Sequence, residues 1–218
     1  MKRVEDLLIE DRKIFQDDTE YCFTSDSVLL SKFATAKKND VVADFCSGCG
    51  IVGIHFYLLN KNLVKSVDLF EMQKSLYDLS VETIDYNKLQ NEVFPHNVKV
   101  QDIGAEYNGK FSLILCNPPY FKDVRQEENY DKIKACKNEL TINAEEIIRA
   151  ASKCLKYGGR FAMSHIPDRL TEILSIMRSC NLEPKRLSVV TGGDKVYLTL
   201  IEGVKGGKSG LKIEIVKN

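Results

Sequence analysis

Asn117-Pro118-Pro119-Tyr120 is the segment whose residue types and spacing most directly imply chemistry. It follows Phe111–Cys116, an apolar run that reads as a buried strand. Proline cannot continue a central strand, so the chain must turn out of a sheet here. The residue before each proline is held extended, which stiffens the frame carrying the Asn117 side chain and the Pro118 carbonyl. Both groups accept hydrogen bonds. Two acceptors aimed at the two hydrogens of a planar amino group would orient it and stabilise positive charge developing on its nitrogen. Tyr120 can stack on the ring that carries the amine. No strongly basic residue stands in the motif, so positioning for in-line attack is the catalysis it can offer.

A second constellation lies upstream. Val41–Phe45 is a short β-type run containing Asp44, followed by the small-residue turn Cys46-Ser47-Gly48-Cys49-Gly50 and an apolar helix, Ile51–Leu59. Strand, glycine turn and helix open a βαβ unit, and ligands of such sheets bind at the carboxyl ends of the strands. Gly48, Gly50 and Gly53 have Gly-x-Gly-x-x-Gly spacing, which would let the backbone approach a nucleotide-type cofactor. A plain tight turn would use the same residues. Glu71 closes a second predicted strand, Lys65–Phe70, about 20 residues beyond the turn, where a carboxylate can accept both hydroxyls of a ribose. Asp68 competes for that role, but its alternation with apolar residues places it on the strand surface. Asp102, beyond a third predicted strand at Val98–Val100, suits the amino group of a bound base or, equally, a solvated loop.

The elements that must position these residues alternate. Residues 1–24 are polar and irregular. Ser25 and Asp26 cap a helix running to about Lys38. Further helices are expected over Gln73–Gln90, Ala144–Leu155 and from Pro167 to Cys180. Strands are expected at Phe161–Ser164, Leu187–Val190 and Val196–Ile201, with one more possible at Leu211–Val216. The pattern predicts an α/β fold with a mostly parallel sheet, helices on both faces and an antiparallel hairpin at one edge. The whole chain, 1–218, reads as one domain with an N-terminal extension and helix (1–38), a polar insertion (121–142) and a basic tail (203–218).

Composition adds bounds. The chain has 218 residues, with 31 basic residues balancing 31 acidic ones, so net charge does not argue for or against a nucleic-acid partner. The N-terminus lacks the apolar core of a signal peptide, and no apolar run approaches the ~18 residues of a membrane span. With seven scattered cysteines, the expected setting is cytoplasmic with reduced thiols. Cys46 and Cys49 form a Cys-x-x-Cys pair, but no second Cys or His pair completes a zinc-type set, and no metal is expected. His165 is assigned no catalytic role.

Together these features resemble the class I S-adenosylmethionine-dependent methyltransferases of the (Asn/Asp)-Pro-Pro-(Tyr/Phe) branch. Asp44 to Gly50 matches that group's Asp-Leu-Gly-x-Gly-x-Gly motif, with Cys46 in place of the first glycine. The resemblance implies a Rossmann-like fold with a seven-stranded sheet. It implies S-adenosyl-L-methionine as cofactor, held by Asp26, Asp44, Ser47, Gly48, Gly50, Glu71, Met72, Asp102, Ile103 and Asn117. A sulfonium donor needs no metal. The catalytic residues implied are Asn117, Pro118 and Tyr120.

The order of four segments narrows the likeness: Thr24–Leu30, Asn117–Phe121, Phe161–Leu170 and Ile201–Gly207. They resemble, in that order, the bacterial tRNA adenine-N6-methyltransferases that act at position 37 of valine tRNA. This implies an anticodon-loop partner whose target base flips out for a few kcal/mol. Tyr120 and Phe121 would meet the base. Lys122, Arg125, Lys132, Lys134 and Lys137 in the insertion, with Lys205, Lys208 and Lys212 in the tail, would grip phosphates. A monomer or a dimer is compatible, with no membrane partner. Competing readings are a protein glutamine N5-methyltransferase, an rRNA guanine-N2-methyltransferase, a nicotinamide-dependent oxidoreductase and a non-catalytic RNA-binding protein.

Overall fold

Strand β6 (Phe111–Cys116) sets the frame: Leu113 and Leu115 join the apolar core on one face of the sheet, Ile114 and Cys116 the core on the other, and all four are buried. A strand covered on both faces is apolar throughout rather than alternating. The computed structural model describes residues 1–20, 22–118 and 143–217.

Around β6 lie β3 (Asp40–Phe45), α2 (Ile51–Asn60), β4 (Val64–Glu71), α3 (Lys74–Asn87), β5 (Val93–Asn97), α4 (Ala144–Cys154), β7 (Leu155–His165), α5 (Leu170–Ser179), β8 (Leu182–Gly192), β9 (Lys195–Lys205) and β10 (Lys212–Lys217). Helix α1 (Ser25–Phe33) precedes them. The main sheet has eight strands in the order β10-β8-β9-β7-β6-β3-β4-β5. Pairings are parallel from β5 to β7, whereas β9 runs antiparallel to both β7 and β8. The expected α/β sheet with an antiparallel edge hairpin is therefore present. Strand order reverses between β3 and β6, which opens a crevice at their carboxyl ends. Among the described residues, no helix is long and apolar enough to cross a membrane.

Several elements differ from expectation. The first residues are not irregular: β1 (Lys2–Asp6) and β2 (Lys13–Asp17) pair antiparallel in a separate two-stranded sheet. Phe15 N–H donates to Thr83 Oγ1 at 3.1 Å and Lys13 N–H to Asn87 Oδ1 at 3.0 Å, tying the hairpin to α3. Helix α1 stops at Phe33 rather than near Lys38. The third strand is Val93–Asn97, not Val98–Val100; it tolerates Pro95 because it lies at the sheet edge. Val100–Asp102 is a 3-10 turn. Pro167–Arg169 is also a 3-10 turn, and α5 begins only at Leu170. The further strand read as possible at Leu211–Val216 is present as β10, which brings the sheet to eight strands and pairs parallel with β8. The insertion, 121–142, lies outside the described residues.

Candidate active site

The glycine turn closes strand β3. Asp44 is buried, and its Oδ2 accepts from Gly53 N–H at 2.8 Å, fastening the strand end to helix α2. The helix can approach because Gly53 lacks a side chain: a Cβ there would stand 2.5 Å from Leu69 Cδ2. Ser47 N–H donates to Phe70 O at 3.1 Å, and Gly50 N–H to Ser47 O at 2.8 Å. Cys46, at the position where the resembled motif carries glycine, has φ +56, so the turn keeps its left-handed residue although the side chain is not glycine. Gly48 is also left-handed, with φ +57, and a Cβ built there would meet nothing within 4 Å. Its backbone faces open space, as a cofactor cradle requires.

Glu71 ends β4 beside this turn. Its Oε2 accepts from Gly48 N–H at 2.9 Å and its Oε1 from Gln73 N–H at 2.8 Å. Burial raises its pKa, and the amides of Gln73, Gly48 and Met72 oppose the rise. Asp68 is engaged elsewhere: it meets His96 Nε2 at 2.8 Å and Lys110 Nζ at 3.2 Å. Met72 is half-buried, and its carbonyl accepts from Asn97 Nδ2 at 3.0 Å. Asp102 is exposed and Ile103 half-buried, one strand further out, after β5.

Two buried oxygens at the turn, Asp44 Oδ1 and Ser47 Oγ, have no hydrogen-bond partner among the described residues. Unpaired buried polar atoms are costly, so a ligand bearing donors fits this place. Burial pushes the Asp44 carboxyl up to about 8, and Glu71 adds to the rise. A cationic ligand would favour its ionised form. The Cys-x-x-Cys pair does not act as a unit: Cys49 is buried, with its thiol pushed up to about 12, and the Cys46 thiol meets Cys116. No group of three or more His, Cys, Asp or Glu among the described residues could hold a metal ion.

Asn117 follows β6, and β6 pairs with β3 so that Cys116 stands opposite Phe45. The carboxamide therefore emerges next to the glycine turn. Its Nδ2 donates to Ser27 Oγ at 2.9 Å, and its Oδ1 accepts from Ser164 Oγ–H at 2.5 Å. Pro118 is buried. Asp26, beside Ser27 in the first turn of α1, has its pKa raised by burial. Ser27 and Ser164 were not singled out by residue type; only the Thr24–Leu30 and Phe161–Leu170 segments pointed to them. Tyr120, Phe121, Lys122, Arg125, Lys132, Lys134 and Lys137 lie outside the described residues.

The tail lysines are not at this site. Lys205 ends β9, which runs antiparallel to β7, so Val204 pairs with Arg160 near the opposite end of the sheet. Its ammonium donates to the Ser152 and Leu155 carbonyls at 2.5 and 2.8 Å. The Lys208 carbonyl accepts from Lys185 Nζ, and Lys212 pairs with Arg186, both at that same far end. Lys205, Lys208 and Lys212 therefore lie at the end of the sheet opposite Asn117.

The sheet has the fold of the class I methyltransferases, and S-adenosyl-L-methionine is the cofactor. The chain belongs to the methyltransferase small domain family, whose profile matches residues 24–172. It is 21% identical over 179 residues to a tRNA1(Val) (adenine(37)-N6)-methyltransferase of Flavobacterium psychrophilum, covering 81% of this chain and 75% of that one. It is 35% identical over 137 residues to a ribosomal RNA small subunit methyltransferase C of Psychromonas ingrahamii, 63% of this chain and 34% of that one. It is 26% identical over 146 residues to a release factor glutamine methyltransferase of Clostridium botulinum, 62% of this chain and 50% of that one. Among solved structures, a geranyl diphosphate C-methyltransferase of Streptomyces coelicolor in complex with S-adenosyl-L-homocysteine superposes with TM-score 0.61 at 13% identity, covering 83% of this chain and 77% of that one.

Proposed function

We propose that this methyltransferase modifies the exocyclic N6 of an adenosine in tRNA, at position 37 beside the anticodon of valine tRNA. The observation that carries the chemistry is the placement of Asn117 at the carboxyl end of β6, next to the turn holding Asp44 and Ser47. The choice of tRNA rests on the tRNA1(Val) relative, which aligns over more of both chains than the rRNA or release-factor relatives do.

In this reading Asp44, Ser47, Gly48, Gly50, Glu71 and Met72 hold the cofactor, with Asp26 beside them and Asp102 and Ile103 towards its base. When bound, S-adenosyl-L-methionine supplies an electrophilic methyl group on a sulfonium. The chain's own residues do the rest. Asn117 Oδ1 and the Pro118 carbonyl accept the two N6 hydrogens and fix the nitrogen lone pair on the line of attack. The same two oxygens stabilise the positive charge that grows on nitrogen, and the surplus proton then leaves to water. Tyr120 and Phe121 hold the flipped base. Lys122, Arg125, Lys132, Lys134 and Lys137 supply the phosphate grip.

A second reading, guanine N2 of small-subunit rRNA, is favoured by the 35% identity to the rRNA relative. A glutamine amide offers the same two hydrogens and is the third. Methyl-labelled cofactor incubated separately with undermodified bulk tRNA, small-subunit rRNA and release factor separates them. Label in tRNA supports the proposal. Label only in rRNA or release factor rejects the tRNA assignment and leaves the planar-amine chemistry standing. An Asn117→Ala variant that transfers at a near-normal rate rejects that chemistry.

A further inference from the structure

We infer that Ser27 and Ser164 are positioning residues that clamp the Asn117 carboxamide with its oxygen turned towards the acceptor nitrogen; the inference rests on the planar-amine reading of Asn117. Three remote parts of the chain converge here. Ser27, in the first turn of α1, lies 90 positions before Asn117, and Ser164, in β7, lies 47 after it. Both serines are buried, at 1% and 0% exposure. Each is fixed by the fold. Ser27 N–H donates to Thr24 O at 3.2 Å, and β7 is locked between β6 and β9, with Cys116 opposite Met163 and Ser164 opposite Leu200.

The problem such a clamp solves is specific to an asparagine. Rotating the terminal amide by half a turn exchanges its oxygen and nitrogen, and would present two donors to a substrate amine that also donates. Here Nδ2 donates to Ser27 Oγ and Oδ1 accepts from Ser164 Oγ–H, and together the two hydroxyls hold the carboxamide plane and this orientation.

The test uses the full chain with Ser27→Ala, Ser164→Ala, Ser27→Thr and Asn117→Ala variants. Single-turnover methyl transfer to undermodified bulk tRNA, cofactor affinity and melting temperature are measured together. Each serine-to-alanine change is expected to slow transfer about tenfold, the effect of losing one buried hydrogen bond, with cofactor affinity unchanged. Ser27→Thr, which keeps the hydroxyl, should be faster than Ser27→Ala; a role in packing alone would give the reverse order. In an Asn117→Ala background, Ser164→Ala should change the residual rate less than twofold, because the serine acts through Asn117. Serine-to-alanine variants that transfer normally while Asn117→Ala is slowed to a small residual rate would overturn the clamp and leave the planar-amine reading intact. Slowing that merely tracks weaker cofactor binding or a lower melting temperature would also overturn it. Normal transfer by Asn117→Ala itself would remove the reading beneath it. Independently of any acceptor, the Asn117 side-chain NH2 resonances in a 15N-labelled protein should shift in both alanine variants; unshifted resonances would contradict the clamp.

Discussion

Glu71 Oε2 accepts a hydrogen bond from Gly48 N–H at 2.9 Å, so the acid that closes β4 also shapes the turn that closes β3. The amides of Gly48, Gln73 and Met72 occupy three of the roughly four acceptor sites that a carboxylate offers, which leaves about one for a ligand hydroxyl. Glu71→Ala should therefore lower S-adenosylmethionine affinity by at least about tenfold, by removing a charge-assisted bond worth roughly 1.5–3 kcal/mol. Glu71→Gln should fall between the two. Titration calorimetry reads both. Unchanged affinity in Glu71→Ala would remove this residue from the cofactor site.

Asp44 predicts a pH dependence. Burial pushes its carboxyl up to about 8, against 3.8 for an ordinary aspartate. The folded chain then holds a proton that the unfolded chain releases, so stability falls as pH rises from about 4 to about 8. Asp44→Asn should flatten that decline, as melts at about pH 5 and about pH 9 would register. Cofactor binding has the opposite trend. A cationic ligand favours ionised Asp44, so binding should release a proton and tighten as pH rises towards about 8. Calorimetry in buffers of different ionisation enthalpy detects the released proton; pH-independent binding with no release would contradict the placement of Asp44 against the cofactor.

Two changes, one in the turn and one in the helix it opens, should move stability in opposite directions. A Cβ at Gly53 would sit 2.5 Å from Leu69 Cδ2 and 3.1 Å from Asp44 Cβ, so Gly53→Ala should cost about 1–3 kcal/mol. Cys46 holds φ +56, and Cys46→Gly should relieve strain of about 1 kcal/mol. Denaturant unfolding of the two variants gives both signs directly.

Beneath the site, Arg160 Nη2 meets Asp40 Oδ2 at 2.5 Å, with both side chains 4% exposed. Ser112 Oγ and Lys37 N–H also donate to that carboxylate. Arg160→Met leaves a buried charge without its cation and should cost about 3–5 kcal/mol. Adding Asp40→Leu should recover part of the loss. A double variant no more stable than Arg160→Met, measured by denaturant unfolding, would refute this account of the pair.

The parts of the fold legible in the sequence are those where one residue's type forces the outcome. Phe111–Cys116 is buried on both faces, Gly48 and Gly50 take the positive φ of the turn, and Gly53 stands where the helix passes close to Leu69, so the strand and turn could be read directly. The β1–β2 hairpin was hidden because its turn uses Leu8, Glu10 and Asp11 at positive φ, with no glycine to mark it. Strand β5 was displaced because Pro95 reads as a breaker, which an edge strand tolerates. Positive charge alone did not show that Lys205 lies at the far end of the sheet, since that depends on the direction of β9. Ser27 and Ser164 meet Asn117 only through tertiary structure.

The central claim is that Asn117 directs methyl transfer to a planar amino nitrogen, and the most direct test identifies the methylated atom. Undermodified bulk tRNA is treated with the protein and isotopically labelled methyl donor, digested to nucleosides and examined by mass spectrometry, with Asn117→Ala as control. The account predicts label in N6-methyladenosine, lost in the variant although the variant still binds cofactor. Label on a ring nitrogen, a ribose oxygen or a base carbon, or label that persists in Asn117→Ala, would contradict it.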